Sequence, residues 1–533
     1  MNCTSTRLPY RQTGVFSKIA LDYVDQCDSL KPFFVHPSTM QGLQKAIERR
    51  KQFATNRELL LQELRKQYEN IVTTEKVKAN IDSLVSGDTF TITTAHQNNI
   101  FTGPLYFIYK IIHAIKLADS LKDIFPSYHF VPVFYIGSED ADLDELNHIH
   151  LGGEKLVWQT KQTGAVGRMK VDKELLKLIS LMEGQLSVEP NGKEIITLLK
   201  ESYKEGLSLQ QATFYFVNAL FAEYGLVIVL PDNPSLKRLM VTLFKDELLN
   251  QHSAAIIESS AAELENAGYK VQASGREINL FYLEEGIRNR IELKNGQYRV
   301  VDTKFVFTEE EILKELELHP ERFSPNVILR GLYEETMLPN IAFIGGGGET
   351  AYWLQLRKLF EHYNVPYPVL ILRNSFLVVE KKWQELIGKL GLTIEDFFLP
   401  EQELLNKLVL RDSTSQVRLN GSLDELKKLY ESFRKQAAAI DSTLEKHVES
   451  LKSKTVHRLL ELEKKMLRAE KRKFSDQQRQ IHTIKAHLFP GNGLQERVEN
   501  ISYYYAKWGK GFIKMLYENS LGLEQEFTII LEK

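Results

Sequence analysis

Between residues 88 and 137 the hydrophobic period of the chain changes twice, and this restricts the possible folds more than any other feature. "DTFTITTAHQ" (88–97) alternates β-branched residues, "FTGP" breaks the run, and "LYFIYKIIHAIKLADSL" sets Leu105, Ile108, Ile112 and Ile115 on one helical face. "YHFVPVFYIG" (128–137) is a second strand. Strand, Gly-Pro turn, amphipathic helix and strand within so short a span form a βαβ unit, whose strands are parallel because a crossover helix joins them. Three more short apolar runs, "GLVIVLPD" (225–232), "NIAFIGGGG" (340–348) and "YPVLILR" (367–373), suit strands buried on both faces of such a sheet. The expectation is an open α/β sheet, with insertions at about 150–220 and 267–325.

The 533 residues exceed one ordinary domain. Residues 1–85 read as a helical segment joined to the core, with one or two helices over 38–70 and Ser38 as the cap; 86–400 are the core with its insertions. From 401 to 490 the chain reads as coiled coil: Leu426, Phe433, Ala437, Ile440, Leu444, Val448 and Leu451 keep a three-and-four spacing among Glu, Lys and Arg. Ser442 and Glu445 have the spacing of a capping box that would start a new helix, and an unbroken run to Leu488 would span on the order of 68 Å. Such a rod needs a partner, its own preceding helix or another subunit. An aromatic tail, 491–533, folds back on the body.

With 68 basic against 70 acidic side chains, no global field recruits nucleic acid or an anionic membrane, and Glu470 interrupts the basic run "KKMLRAEKRK". Two cysteines, Cys3 and Cys27, support neither a disulfide framework nor a zinc site. With no apolar leader and no membrane span, the expected location is the cytoplasm.

In open α/β sheets ligands bind beyond the carboxyl ends of the strands, so the loops after the apolar runs carry the candidates. After the first come His96, Gln97, Asn98 and Asn99, then Gly103 before a helix N-terminus; a polar connection is the alternative. After the second come Glu139, Asp140, Asp142, Asp144, Glu145, Asn147 and His148. That much carboxylate must be solvated, paired with Arg or Lys, or directed at an ammonium or Mg²⁺, with His148 available for proton transfer. After the fourth come Gly345, Gly346, Gly347, Gly348 and Glu349, a run suited to close main-chain approach or to a bare tight turn. Arg373 ends the last strand, as anion clamp or structural ion pair, while Arg288 and Arg290 read as a solvated face.

Long stretches of the chain, "HQNNIFTGPLYFIYKIIHAIKLA", "VPVFYIGSEDADLDELNH", "SPNVILRGLYEETMLPNIAFIGGGGETAYWLQL", "DSTLEKHVESLKSKTVHRLLELEKKMLRAEKRK" and "LFPGNGLQERVEN", resemble the cysteine-adding enzymes of bacillithiol biosynthesis, in the same order. The resemblance implies a Rossmann-like parallel sheet with connecting-peptide insertions, distantly similar to class I aminoacyl-tRNA synthetases, and a C-terminal α-helical coiled coil that makes a homodimer. It implies a ligase that joins the carboxyl of L-cysteine to the amino group of glucosaminyl-malate. Because a carboxylate does not acylate an amine unaided, it also implies ATP with Mg²⁺. The carboxylates after the second strand would then meet ammonium groups, and His96, the glycines and Arg373 would meet phosphate or malate. At Ala95 and Gly347 the chain departs from the family pattern, which carries Gly and Pro there, and the synthetase His-x-Gly-His signature is absent. The cysteine set of the analogous mycothiol ligase is also missing, so zinc is not expected. Two other readings stand beside it: a nucleotide-binding coiled-coil assembly protein with a degenerate Rossmann core, and a nucleotidyltransferase-like enzyme acting on another amino sugar.

Overall fold

A computed structural model describes residues 2–414 and 418–533. Residues 415–417 of the expected coiled-coil region lie outside that description. Five strands form the central sheet: Thr89–Gln97 (β1), His129–Gly137 (β2), Val227–Val229 (β3), Asn340–Gly345 (β4) and Val369–Leu372 (β5). Their order is β5-β4-β1-β2-β3, and every pairing is parallel. The alternation in β1 suggests one wet face, yet Thr91, Thr93 and Thr94 are all buried. Their hydroxyls are satisfied inside the sheet: Thr93 donates to Asn340 Oδ1 (2.9 Å) and Thr94 to the carbonyl of Ile344 (2.8 Å).

β1 lies in the middle. From it the chain runs outward through β2 to β3, then returns to the other side of β1 as β4 and β5. The direction of winding therefore reverses between β1 and β4, and a crevice opens beyond their carboxyl ends. Three helices border that crevice: Tyr106–Ile124 (α1), Val327–Met337 (α2) and Gly347–His362 (α3). The segment between β2 and β3 holds a hairpin (His148–Leu151 with Glu154–Val157) and helices, and the segment before β4 holds a five-stranded antiparallel sheet.

Residues 38–70 form two helices, Met40–Lys51 and Arg57–Tyr68, but Thr39 rather than Ser38 caps the first, its side chain accepting from the Gly42 amide. Arg50 from that helix forms a fully buried ion pair with Glu335 of α2 and donates to its carbonyl (2.7 Å). The tail folds back: Glu526–Glu532 pairs antiparallel with Cys3–Pro9.

The chain divides into two compact units, Met1–Val378 with Gly493–Lys533, and Val379–Asn492. In the second, Asn420–Ile440 (α4) packs on Leu444–Lys471 (α5), with Tyr430 Oη 2.8 Å from Thr455 Oγ1. The helix break falls after Ile440 as the sequence predicts, but no capping box forms; Asp441 Oδ1 instead accepts from the amide and hydroxyl of Thr443. Nor does the second helix run unbroken to Leu488, because a 3-10 turn at Arg472–Phe474 separates it from Ser475–Leu488. No helix among the described residues is long and apolar enough to cross a membrane.

His113 on α1 joins three segments. Its Nδ1 accepts from the Asn374 amide (3.1 Å), so the proton sits on Nε2 and is donated to the Gly522 carbonyl (2.7 Å). Burial pushes its pKa down to about 4. Between pH 6.5 and 4 the unfolded chain binds a proton that the folded chain refuses, so up to roughly 3 kcal/mol of stability is lost as pH falls through that window. Denaturant titrations across this range should show the stability gap between wild type and His113→Gln narrowing as pH falls; a constant gap would refute the assignment.

Candidate active site

A cleft of about 770 Å³ occupies the crevice. Ala95, His96 and Gln97 reach it from β1, Asp140 from the turn after β2, Gly346 to Glu349 from the turn after β4, and Arg373 from the end of β5. Six cations line it, Lys110, Arg276, Arg288, Arg330, Arg373 and Arg497, against three carboxylates, Asp140, Glu334 and Glu349. So uneven a balance in a confined space attracts anions.

Each carboxylate has a distinct state. Glu349, at the start of α3, accepts from the Gly346 amide (2.8 Å) and forms an ion pair with Lys110 of α1, whose side chain is buried and also donates to the Ala95 carbonyl (2.9 Å). Burial lowers the Lys110 pKa, and Glu349 opposes that shift. Asp140 accepts from Gln97 Nε2 (2.7 Å); burial pushes its pKa up, but that bond and the charges of Arg330 and Arg288 outweigh it and hold the group ionised. Glu334 on α2 is buried with Oε1 unpartnered, and burial together with the charge of Glu335 raises its pKa well above the carboxylate range. It is a neutral acid in the wall of a cationic cleft.

His96 packs edge-on against Tyr106 and Phe107. Burial first, then Lys110, Arg330 and Arg373, hold its pKa well below the ordinary histidine value, so the ring is neutral, and its Nε2 has no hydrogen-bond partner.

None of Gly345 to Gly348 has a positive φ, so space rather than backbone conformation explains the run. A Cβ on Gly345 would lie 3.0 Å from Phe343 and Glu349, whereas one on Gly348 would meet nothing within 4 Å. Packing therefore accounts for the first glycine and leaves the last open to a ligand beside the free amides of α3. Arg373 fills the structural role considered for it. Its Nη2 forms a buried ion pair with Glu496 Oε1 (2.7 Å), while Nε, unpartnered, would lie 3.6 Å from a Cβ on Gly346.

Other candidates lie elsewhere. Glu139 is buried away from the cleft lining, paired with the fully buried Lys237 and accepting from Ser324 (3.0 Å). Asp142, Asp144 and Glu145 are exposed, so within one stretch Glu139 is paired with a lysine, Asp140 lines the cleft and the rest are solvated. Asn147 caps a short helix, and His148 opens the hairpin with Nδ1 3.2 Å from Asn147 Oδ1; burial and Lys155 lower its pKa. Neither residue lines the cleft. Asn98 is buried with both amide atoms unpartnered, and Gly103 is required conformationally, with φ +62° and a Cβ that would collide with Asn99. Arg288 is not the solvated residue expected: it stacks 4.0 Å from the Phe281 ring and faces the cleft. Lys110, Arg276, Arg330, Glu334 and Arg497 were not singled out from sequence. Lys110 sits on the apolar-looking helix α1, where an isolated lysine was the available signal.

A parallel sheet with a cationic cleft at its winding reversal, joined to a paired-helix unit, defines a Rossmann-like protein with a coiled-coil appendage. The chain belongs to the bacillithiol biosynthesis BshC family: the N-terminal Rossmann-like domain of that family matches residues 1–374 and the C-terminal coiled-coil domain residues 376–532. Proteins named "Putative cysteine ligase BshC" are similar throughout. That of Flavobacterium johnsoniae is 39% identical over 98% of this chain and 99% of its own, and that of Flavobacterium psychrophilum 38% over 98% of each. A solved Campylobacter jejuni chain described as "putative arginyl t-RNA synthetase" covers 81% of this chain and 99% of its own at 10% identity, and its TM-score of 0.22 carries no argument.

The pairing of Lys110 with Glu349 is testable without a ligand. Glu349→Gln keeps a side chain able to cap Gly346 but leaves a buried ammonium uncompensated, which should cost on the order of 3 kcal/mol in urea unfolding. Adding Lys110→Met should restore most of the loss, and additive effects would contradict the pairing.

Proposed function

We propose that this chain is the ligase that joins the carboxyl of L-cysteine to the amino group of glucosaminyl-malate, with the cysteine carboxylate activated by ATP. The observation that carries the reading is the cleft's charge distribution: six cations and the amino end of α3 for anions, and an ionised Asp140 for an ammonium. A cysteine carboxylate oxygen attacks a nucleotide phosphorus and expels pyrophosphate or ADP. The sugar amine, having lost a proton, then attacks the acyl carbon and releases AMP or phosphate. In this scheme the Gly346–Gly348 amides, Lys110 and Arg330 take phosphate charge, Arg276 and Arg288 take malate carboxylates, and Asp140 holds an ammonium. Neutral His96 offers Nε2 to the attacking amine. Glu139, through Lys237, fixes the turn that carries Asp140. Glu349 is committed to Lys110 and the Gly346 amide, so Asp140 is the cleft carboxylate that would meet a Mg²⁺ carried in by the nucleotide phosphates, and no step is assigned to the ion.

The reading includes a homodimer. Leu429, Phe433, Ile440, Leu444, Leu451 and Leu460 remain exposed on the α4–α5 pair after those helices have packed together, an apolar surface suited to a second copy. An ATP requirement and a reduced thiol product agree with a cytoplasmic location.

The decisive assay supplies the purified chain with ATP, cysteine and glucosaminyl-malate. Bacillithiol should form with stoichiometric release of pyrophosphate or phosphate, and nucleotide binding without turnover would overturn the ligase in favour of an assembly protein. Gly348→Val should leave the melting temperature unchanged and raise KM for ATP by roughly tenfold or more, because its side chain enters open space where this scheme puts phosphate. For the dimer, light scattering should give twice the chain mass, and Phe433→Asp with Leu451→Asp should halve it.

A further inference from the structure

Among the described residues, one cluster of ligating side chains lies outside the cleft. Asp246 is on the helix Val241–Asn250, His252 is the first residue of the helix His252–Asn266, and His362 is the last residue of α3. One ligand atom from each lies within 4.8 Å of the other two. We propose that Asp246, His252 and His362 form a site for one borderline divalent transition cation of the Zn²⁺ class, bound by two imidazoles and a carboxylate with its remaining position open to water.

The geometry suits such an ion. Asp246 Oδ2 and His252 Nδ1 are 3.1 Å apart. Two ligand atoms at that spacing, each about 2.0–2.1 Å from a metal, subtend roughly 95–100° at it, within the range of tetrahedral sites under modest distortion. The edge of a zinc tetrahedron is about 3.4 Å, so no separation need close by more than roughly 1.4 Å. His252 and His362 are exposed and can make that movement by side-chain rotation. Their rings already lie 4.9 Å apart, centroid to centroid.

The carboxylate is held from behind. Tyr363 Oη donates to Asp246 Oδ2 (2.9 Å) and Asn250 Nδ2 to Oδ1 (2.6 Å), the kind of outer contacts that orient a ligating carboxylate. Borderline imidazole nitrogens with one hard oxygen favour zinc-class ions over Mg²⁺ or Ca²⁺. Nothing in "DELLNQH" or "FEHYN" alone shows the site, because His362 lies 110 residues beyond His252 and reaches it only through the packing of two helices. The ion would tie the helix pair 241–266 to the carboxyl end of α3, the helix whose amino end borders the cleft.

The test uses the full chain, freed of metal by chelation and titrated with Zn²⁺ alone, Mg²⁺ being the control. One equivalent of Zn²⁺ should bind by calorimetry and elemental analysis, with a rise of a few degrees in melting temperature, and Mg²⁺ should do neither. His252→Asn and His362→Gln, both exposed, should melt like wild type without metal and bind Zn²⁺ on the order of 10-fold to 100-fold more weakly. Absence of stoichiometric uptake, or uptake that the double substitution leaves unchanged, would overturn the site. Neither readout depends on ligase activity, so failure of the proposed reaction and failure of this site are separable.

Discussion

The placing of β1 between β4 and β2 is the constraint on which the rest of the molecule depends. A parallel strand at the centre of a sheet is paired on both edges and covered on both faces, so its threonine hydroxyls must find partners within the sheet, and they do. The same placement obliges the chain to reverse its direction of winding beside β1. The turns after β1, β2, β4 and β5 consequently end at one rim, and residues more than two hundred positions apart in sequence share a cleft.

Charge within that rim is organised by burial. Lys110 is compensated by Glu349, and Arg373 by Glu496, which arrives from the far end of the chain. Asn500 from the same segment donates to the carbonyls of Phe101 and Gly103, supporting a turn in which Phe101 and Thr102 both have positive φ. The tail is thus part of the site's framework: without it, Arg373 would be an uncompensated buried cation and the turn after β1 would lose its anchor. Glu139 and Lys237 play the equivalent part below Asp140, with Lys237 3.8 Å from Asp232 and Asp232 held by Arg168 at 2.6 Å.

The cleft's electrostatic character follows from the groups that line it. Arg330 and the Nε of Arg373 face the cleft beside the amino end of α3, so an anion there would exchange its water for oriented donors. Neutral His96 and neutral Glu334 are the complement of that cationic field, since each gives up its own charge where burial makes a charge costly.

The sequence by itself determined the five strands, the helix after β1, the break after Ile440 and the rim on which His96, Gln97, Asp140, Gly346 to Gly348 and Arg373 meet. Each of these is written in a local period or in a turn residue, and the rule that parallel sheets bind at their carboxyl ends supplies the rest. Tertiary structure alone decided which charges are committed and which are free. "SEDADLDELNH" looks like one acidic patch, yet Glu139 is locked to Lys237, Asp140 faces the cleft and Asp142 is exposed. Arg288 looked solvated because "GIRNRI" alternates, and it is covered because its strand forms a wall of the cleft. Partners such as Glu496 for Arg373 and Lys110 for Glu349 lie on other elements, and electrostatic fate depends on three-dimensional neighbours that no local pattern encodes.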